Sequence, residues 1–150
     1  MPQSLSAALM HLVFSTKLRE PWIFPEIEQE LYAYLAEVFK GCKSPSLSIG
    51  GDKDHIHALF SLARTWTIAD VVEEVKKRSS KWMKTKDESL KNFHWQGGYG
   101  VFSIGESNVP ALKRYIANQK DHHKRTSYQD EFRSLLRKYK VSYDERYVWD

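Results

Sequence analysis

The sequence predicts an α+β fold: one four-stranded antiparallel sheet, two helices on one of its faces and a later helix on the other. Three observations predict it. Strand-like and helix-like hydrophobic periods follow one another in the order β-α-β-β-α-β. The stretch from Gly50 to Leu62 reads as a turn leading into a strand whose side chains alternate between faces. A further helix-period segment follows the last strand, and the bare sheet face is the surface left for it to cover.

The 150 residues are read as a single domain, 1–150, large enough for a real core. Hydrophobic content of 41% and charged content of 28% place it in the ordinary globular class. The single cysteine, Cys42, excludes an intrachain disulfide and a Cys-rich zinc site, and suits a reducing cytoplasm. Met1 to Thr16 lacks the basic start and apolar core of a signal peptide. No apolar run approaches the ~20 residues that span a bilayer, so the expected location is the cytoplasm. A net charge of +4 permits an anionic partner such as nucleic acid without requiring one.

Ala8 to Thr16 reads as the first strand, with Lys17 and Arg19 placing positive charge at its end. Phe24-Pro25 opens a helix whose apolar face is Ile27, Leu31, Tyr34, Leu35 and Phe39, and Gly41 suits its stop. Pro45 to Gly50 is a short second strand, and Gly51 to Lys53 connects it tightly to the antiparallel histidine strand. Thr67 is a good N-cap for the next helix, with Asp70 three residues on. Its buried stripe is Ile68, Val71, Val72, Val75, Ser79 and Trp82. Lys76, Lys77, Arg78, Lys81 and Lys84 cover much of the rest, either as a solvated face or as phosphate contacts. Asp87 to Asn92 is a loop, and a last strand is expected from Tyr99 to Ile104. This is the split βαβ order, ferredoxin-like and shared with RNA-recognition domains. Ser107 or Asn108 then caps a helix running through Ala111 to His123, and a final helix covers Tyr128 to Tyr139. The tail, Val141 to Asp150, is expected to pack down, because Tyr143, Tyr147, Val148 and Trp149 are poor residues to leave in water.

Strand alternation puts His55 and His57 on one face, where two imidazoles can hold one divalent ion. Tyr115 and Gln119, four apart, share a face of the later helix, with His122 a further turn along. If that helix covers the histidine face, two imidazoles and an amide oxygen make three neutral ligands with open positions for a phosphate. A phenol beside them is a candidate nucleophile, activated by a metal-polarised phosphate or a nearby base. Taken singly, each residue also has a structural reading. Tyr115 could pack between helix and sheet, Gln119 could be a surface residue, and His11 could be structural. His122 and His123, adjacent on one helix, are not expected to face a single site.

With these residues in place, the chain resembles the single-tyrosine transposases of the HUH nuclease superfamily, the TnpA type of the smallest bacterial insertion sequences. The resemblance rests on His55-Ile56-His57 and Tyr115-Ile116-Ala117-Asn118-Gln119. It extends through His11 to Lys17, Val75 to Trp82, Trp95 to Gly100 and Tyr143 to Asp150. It implies metal-dependent cleavage of single-stranded DNA folded into hairpins at element ends. Tyr115 would be the nucleophile, forming a 5′-phosphotyrosine link that another 3′-hydroxyl resolves. His55, His57 and Gln119 would hold Mg²⁺ or Mn²⁺. It also implies a homodimer in which the tyrosine helix can act in trans, and no nucleotide cofactor, in keeping with the absence of a glycine-rich Walker sequence.

Lys17, Arg19, Arg78 and Lys81, with Arg114 and Lys120 near the tyrosine, are the expected contacts to the DNA backbone. Trp66, Trp82, Trp95 and Trp149 could stack on unpaired bases, with core packing favoured for Trp82. Three other readings compete. One is a domesticated endonuclease that cuts host repeats. One is a non-catalytic, RNA-recognition-like single-strand binding module. The third is a mononuclear metal hydrolase, for which the sequence offers no obvious carboxylate-rich shell.

Overall fold

The computed structural model describes residues 1–150. The elements are β1 (Leu9–Ser15), α1 (Pro25–Gly41), β2 (Ser46–Asp52), β3 (His55–Ser61), α2 (Ile68–Lys84), β4 (Gly100–Ser103), α3 (Val109–Ala117), α4 (Gln119–His122) and α5 (Tyr128–Lys138). The sheet is antiparallel throughout, in the order β2-β3-β1-β4, so the histidine strand lies next to the first strand at the centre. No helix is long and apolar enough to cross a membrane.

Strand alternation sorts the two faces. Leu12, Phe14, Ile56, Ala58 and Phe60 point into the main core beneath α1 and α2, with Leu31, Leu35, Val71, Val72 and Val75. Their alternates, Val13 and Leu59, meet α5 and α3 on the other face. Both faces are therefore covered, and His55 and His57 are completely buried at the centre of the second interface. The Thr67 hydroxyl accepts from Asp70 N at 3.0 Å, the expected cap of α2. The α2 stripe closes on buried Met83, while Trp82 is half-buried and stacks on Tyr34 at 5.3 Å.

Several boundaries differ from the expectation. Gly51 and Asp52 belong to β2, opposite Ile56 and His55, and the turn is Lys53-Asp54. Neither Ser107 nor Asn108 caps α3 with its side chain; a short 3-10 turn, Glu106–Asn108, leads in instead. The tyrosine helix does not continue to His123. It breaks at Asn118 (φ −96°, ψ 17°), which separates α3 from α4. In the tail, Val148 and Trp149 pack down, whereas Tyr143 and Tyr147 stay exposed.

The helix α3 sits directly on β2. A Cβ at Gly50 would stand 2.6 Å from the carbonyl oxygen of Ile116 and 2.8 Å from its Cγ2. Backbone cannot yield as a flexible side-chain tip can, so Gly50→Ala is expected to lift α3 and cost about 1–3 kcal/mol. Urea denaturation checks this: an unchanged midpoint would show that α3 is not seated on Gly50.

Candidate active site

Three imidazoles converge between β3 and the α4–α5 segment, and each has its outward nitrogen committed. His55 Nδ1 donates to Asp54 Oδ1 at 2.7 Å. His123 Nδ1 donates to the Thr126 carbonyl at 2.7 Å. His57 Nδ1 shares a proton with His11 Nε2 at 2.8 Å. A neutral imidazole that donates through Nδ1 presents a lone pair at Nε2. The Nε2 atoms nevertheless face acceptors. His55 Nε2 is 2.8 Å from Gln119 Oε1, and His123 Nε2 is 2.9 Å from the same oxygen. His57 Nε2 and His123 Nε2 are each 3.0 Å from Glu131 Oε1. Lone pairs crowded this closely require protons or a cation among them.

A cation fits the donor set. Ligand atoms of His55, His57, His123 and Glu131 all lie within 4.8 Å of one another. Bonds of about 2.1 Å to one small ion place neighbouring ligands about 3 Å apart, the separation of Glu131 Oε1 from His57 Nε2 and His123 Nε2, with His55 Nε2 at 3.7 Å. Outward carboxylate and carbonyl partners on metal-bound imidazoles are the usual means of fixing ring orientation.

Glu131, on α5, is the centre of the cluster and is buried. Oε2 accepts the hydroxyl proton of Tyr115 and, at 2.9 Å, a proton from Gln119 Nε2. Burial alone would raise its pKa, but hydrogen bonds from His123 and His57, with the electrostatic pull of His57 and His55, hold the carboxyl well below the usual carboxylate range. The phenol of Tyr115 moves the opposite way. Burial, then the neighbouring Glu131 charge, push it well above 10, so without a cation it stays neutral. A groove of about 810 Å³, lined by His11, Tyr115, His122, Glu131, Arg137 and Lys138, opens onto this phenol.

Burial pushes His57 down to about 4, against its hydrogen bond to Glu131. Burial and then the nearby His57 push His11 down to about 3. Below about pH 6.5 the unfolded chain binds protons that these folded imidazoles refuse, so stability falls as pH falls. Glu131, depressed when folded, acts in the same direction at lower pH. His123 is raised by Glu131 despite its own burial; it stabilises at low pH and reduces the slope. The metal-free protein should lose about 2 kcal/mol per depressed imidazole between pH 7 and pH 5. Denaturant midpoints that do not drop over that interval would rule out neutral buried imidazoles.

A family model described as IS200-like transposase matches residues 4–119. The chain belongs to the IS200-like transposase family. Two solved structures share the fold of this transposase. One is a candidate transposase from Deinococcus radiodurans R1, 21% identical, covering 79% of this chain and 98% of its own, with a TM-score of 0.62. The other is a REP-associated tyrosine transposase bound to a REP hairpin, 15% identical, covering 82% and 72%, with a TM-score of 0.61. No match is found among curated proteins.

In this transposase His55, His57, Gln119 and Tyr115 meet within one chain. The basic residues do not form one surface. Lys17 is exposed and lines a second groove of about 840 Å³ together with Lys76 and Lys77. Arg19 donates to the Trp149 carbonyl at 3.0 Å and holds the tail. Arg78, paired with Glu74 at 2.8 Å, and exposed Lys81 stand on α2, on the sheet face opposite the histidines. Arg114 is exposed on α3. Lys120 is engaged by Glu28 at 2.6 Å and Asp52 at 3.5 Å, which ties α4 to α1 and β2. Among the tryptophans, Trp95 is buried and donates to Ser79 Oγ at 2.9 Å, so it offers no face to a base.

Sequence reasoning missed His123 and Glu131. Because the helix breaks at Asn118, His122 and His123 both reach Glu131, His122 Nε2 at 3.3 Å without hydrogen-bond geometry. The one available signal was the buried-side position of Glu131, three after Tyr128 and four before Leu135 on an amphipathic helix.

Proposed function

We propose that this transposase cleaves and rejoins single-stranded DNA through a covalent link to Tyr115, with a divalent ion, Mg²⁺ or Mn²⁺, held by His55, His57 and Gln119. The observation that carries the reading is the Tyr115 hydroxyl bonded to the carboxylate that touches the paired imidazoles. When bound, the ion polarises the scissile phosphate and offsets negative charge beside the phenol. The Tyr115 oxygen bonds to phosphorus as the bond from phosphorus to the 3′-oxygen breaks. The phenolic proton ends on that 3′-oxygen, and the 5′-phosphate stays on Tyr115. A 3′-hydroxyl from another strand reverses the exchange, so phosphodiester energy is kept and no nucleotide is consumed. Gln119 orients the carboxylate, and burial excludes water from the imidazole side of the link.

Hairpin ends are the proposed substrate, supported by the solved neighbour that is bound to a REP hairpin. Exchange between two ends calls for a homodimer acting at the nucleoid. Exchanging the tyrosine helix in trans would require α3 to α5 to detach together, since Lys120 and Glu131 tie them to their own chain. That same neighbour favours a second reading, a domesticated endonuclease acting at host repeats; short palindromes flanking the coding region at several loci would distinguish it. A stacking module of the RNA-recognition kind is disfavoured, because the sheet face it would use is buried under α3 and α5. The test is direct: labelled hairpin DNA incubated with the protein and Mn²⁺ should yield a covalent species retarded on a denaturing gel. Free cleavage products without such a species would overturn the covalent route.

A further inference from the structure

The carboxylate of Glu131 faces two different tasks at once. Oε1 lies 3.0 Å from His57 Nε2, 3.0 Å from His123 Nε2 and 3.7 Å from His55 Nε2. Oε2 takes the Tyr115 hydroxyl and the Gln119 amide. The residue sits on α5, beyond the residues 4–119 that the family model matches. Resting on the reading of Tyr115 as nucleophile and of the imidazoles as ligands, we infer that Glu131 ligates the metal through Oε1 and positions the nucleophile through Oε2. A single rigid carboxylate thereby couples metal occupancy to the placement of the phenol.

Three features of the chain support this division of labour. His55 and His123 present lone pairs at Nε2 because their Nδ1 atoms donate outward, and His57 does so when its Nδ1 proton goes to His11, so a single anion among them is neutralised best by a cation they share. Side-chain freedom is small, because Glu131 is only 2% exposed and is held by four polar neighbours, His57, His123, Gln119 and Tyr115. Gln119 closes the loop: its oxygen faces His55 and His123, and its NH₂ faces Glu131 Oε2, which sets the amide orientation. With Glu131 included, the donors are three imidazoles, a carboxylate and an amide oxygen. Imidazole-rich sets of this kind suit Mn²⁺ or another first-row ion better than Mg²⁺.

The test needs no DNA. Calorimetric titration of the full chain with Mn²⁺ is compared for wild type, Glu131→Gln and Tyr115→Phe. Glu131→Gln should bind Mn²⁺ about 10–100-fold more weakly, whereas Tyr115→Phe should retain wild-type affinity. In the metal-free protein labelled with ¹³Cζ-tyrosine, the Tyr115 resonance, identified by its loss in Tyr115→Phe, should move toward that of a solvated phenol in Glu131→Gln. Wild-type Mn²⁺ affinity in Glu131→Gln, or an unmoved Tyr115 resonance, would overturn the inference. If that variant does not fold, Glu131→Asp keeps the charge but retracts the carboxylate by one methylene, so it cannot serve both partners. An aspartate variant with both readouts unchanged would equally overturn it. Success of these two readouts alongside failure to form a DNA adduct would instead refute the proposed function and leave the bridging carboxylate standing.

Discussion

Tyr115→Phe is expected to abolish the covalent protein–DNA species, a loss of at least about 10³-fold to the assay background, while hairpin binding should stay within a few-fold of wild type. The substitution removes one oxygen and keeps the ring that packs near His57 and His11 at 5.6 and 6.3 Å between centroids. Of the hydroxyls lining the groove at this phenol, those of Tyr115, Thr126, Ser134 and Tyr139, that of Tyr115 bonds the carboxylate beside the imidazoles. Tyr128 is buried beside His55, with its own hydroxyl turned to Gln96 at 3.4 Å. The phenylalanine leaves Glu131 Oε2 with the Gln119 amide as its remaining hydrogen-bond donor, so the fold should persist. The decisive measurement is a denaturing gel run beside a binding isotherm. An adduct formed by the phenylalanine variant would transfer the nucleophile to another residue.

His57→Ala is expected to lose metal affinity and cleavage together, the first by about 10–100-fold or more and the second to background. The imidazole is completely buried and bridges His11 to Glu131, so its removal deletes one donor and releases the carboxylate from a second. The loss of buried hydrogen bonds should also lower stability by about 1–3 kcal/mol. Mn²⁺ titration and DNA cleavage measured on one preparation check the coupling. Cleavage at the wild-type rate by this variant would remove the ion from the mechanism.

The paired imidazoles on β3 and the neighbouring Tyr115 and Gln119 were legible because each pairing is local. Alternation places His55 and His57 together, and four-residue spacing keeps Gln119 beside Tyr115 even across the break at Asn118. The cover of the histidine face was also legible, since the sixth element leaves one side of the sheet bare and α3 follows. The placement of the basic residues was less so. Charge on a helix shows only that a face is solvated; Arg78 and Lys81 proved to lie across the sheet from the phenol, and Lys120 is spent on Glu28 and Asp52. Glu131 is one of two adjacent acids in the first turn of an amphipathic helix, and a carboxylate declares a site only when its partners are known.

The sequence by itself determined which sheet face carries the paired imidazoles, because a period of two and an apolar set that must be buried leave one orientation for His55 and His57. Only the tertiary structure decided how the site closes. The break at Asn118 and the turn after His123 fold α5 back, bringing Glu131 to His57 across 74 residues of chain. That meeting depends on packing α5 against Val13 and Phe102, a long-range burial with no short-range periodicity to announce it.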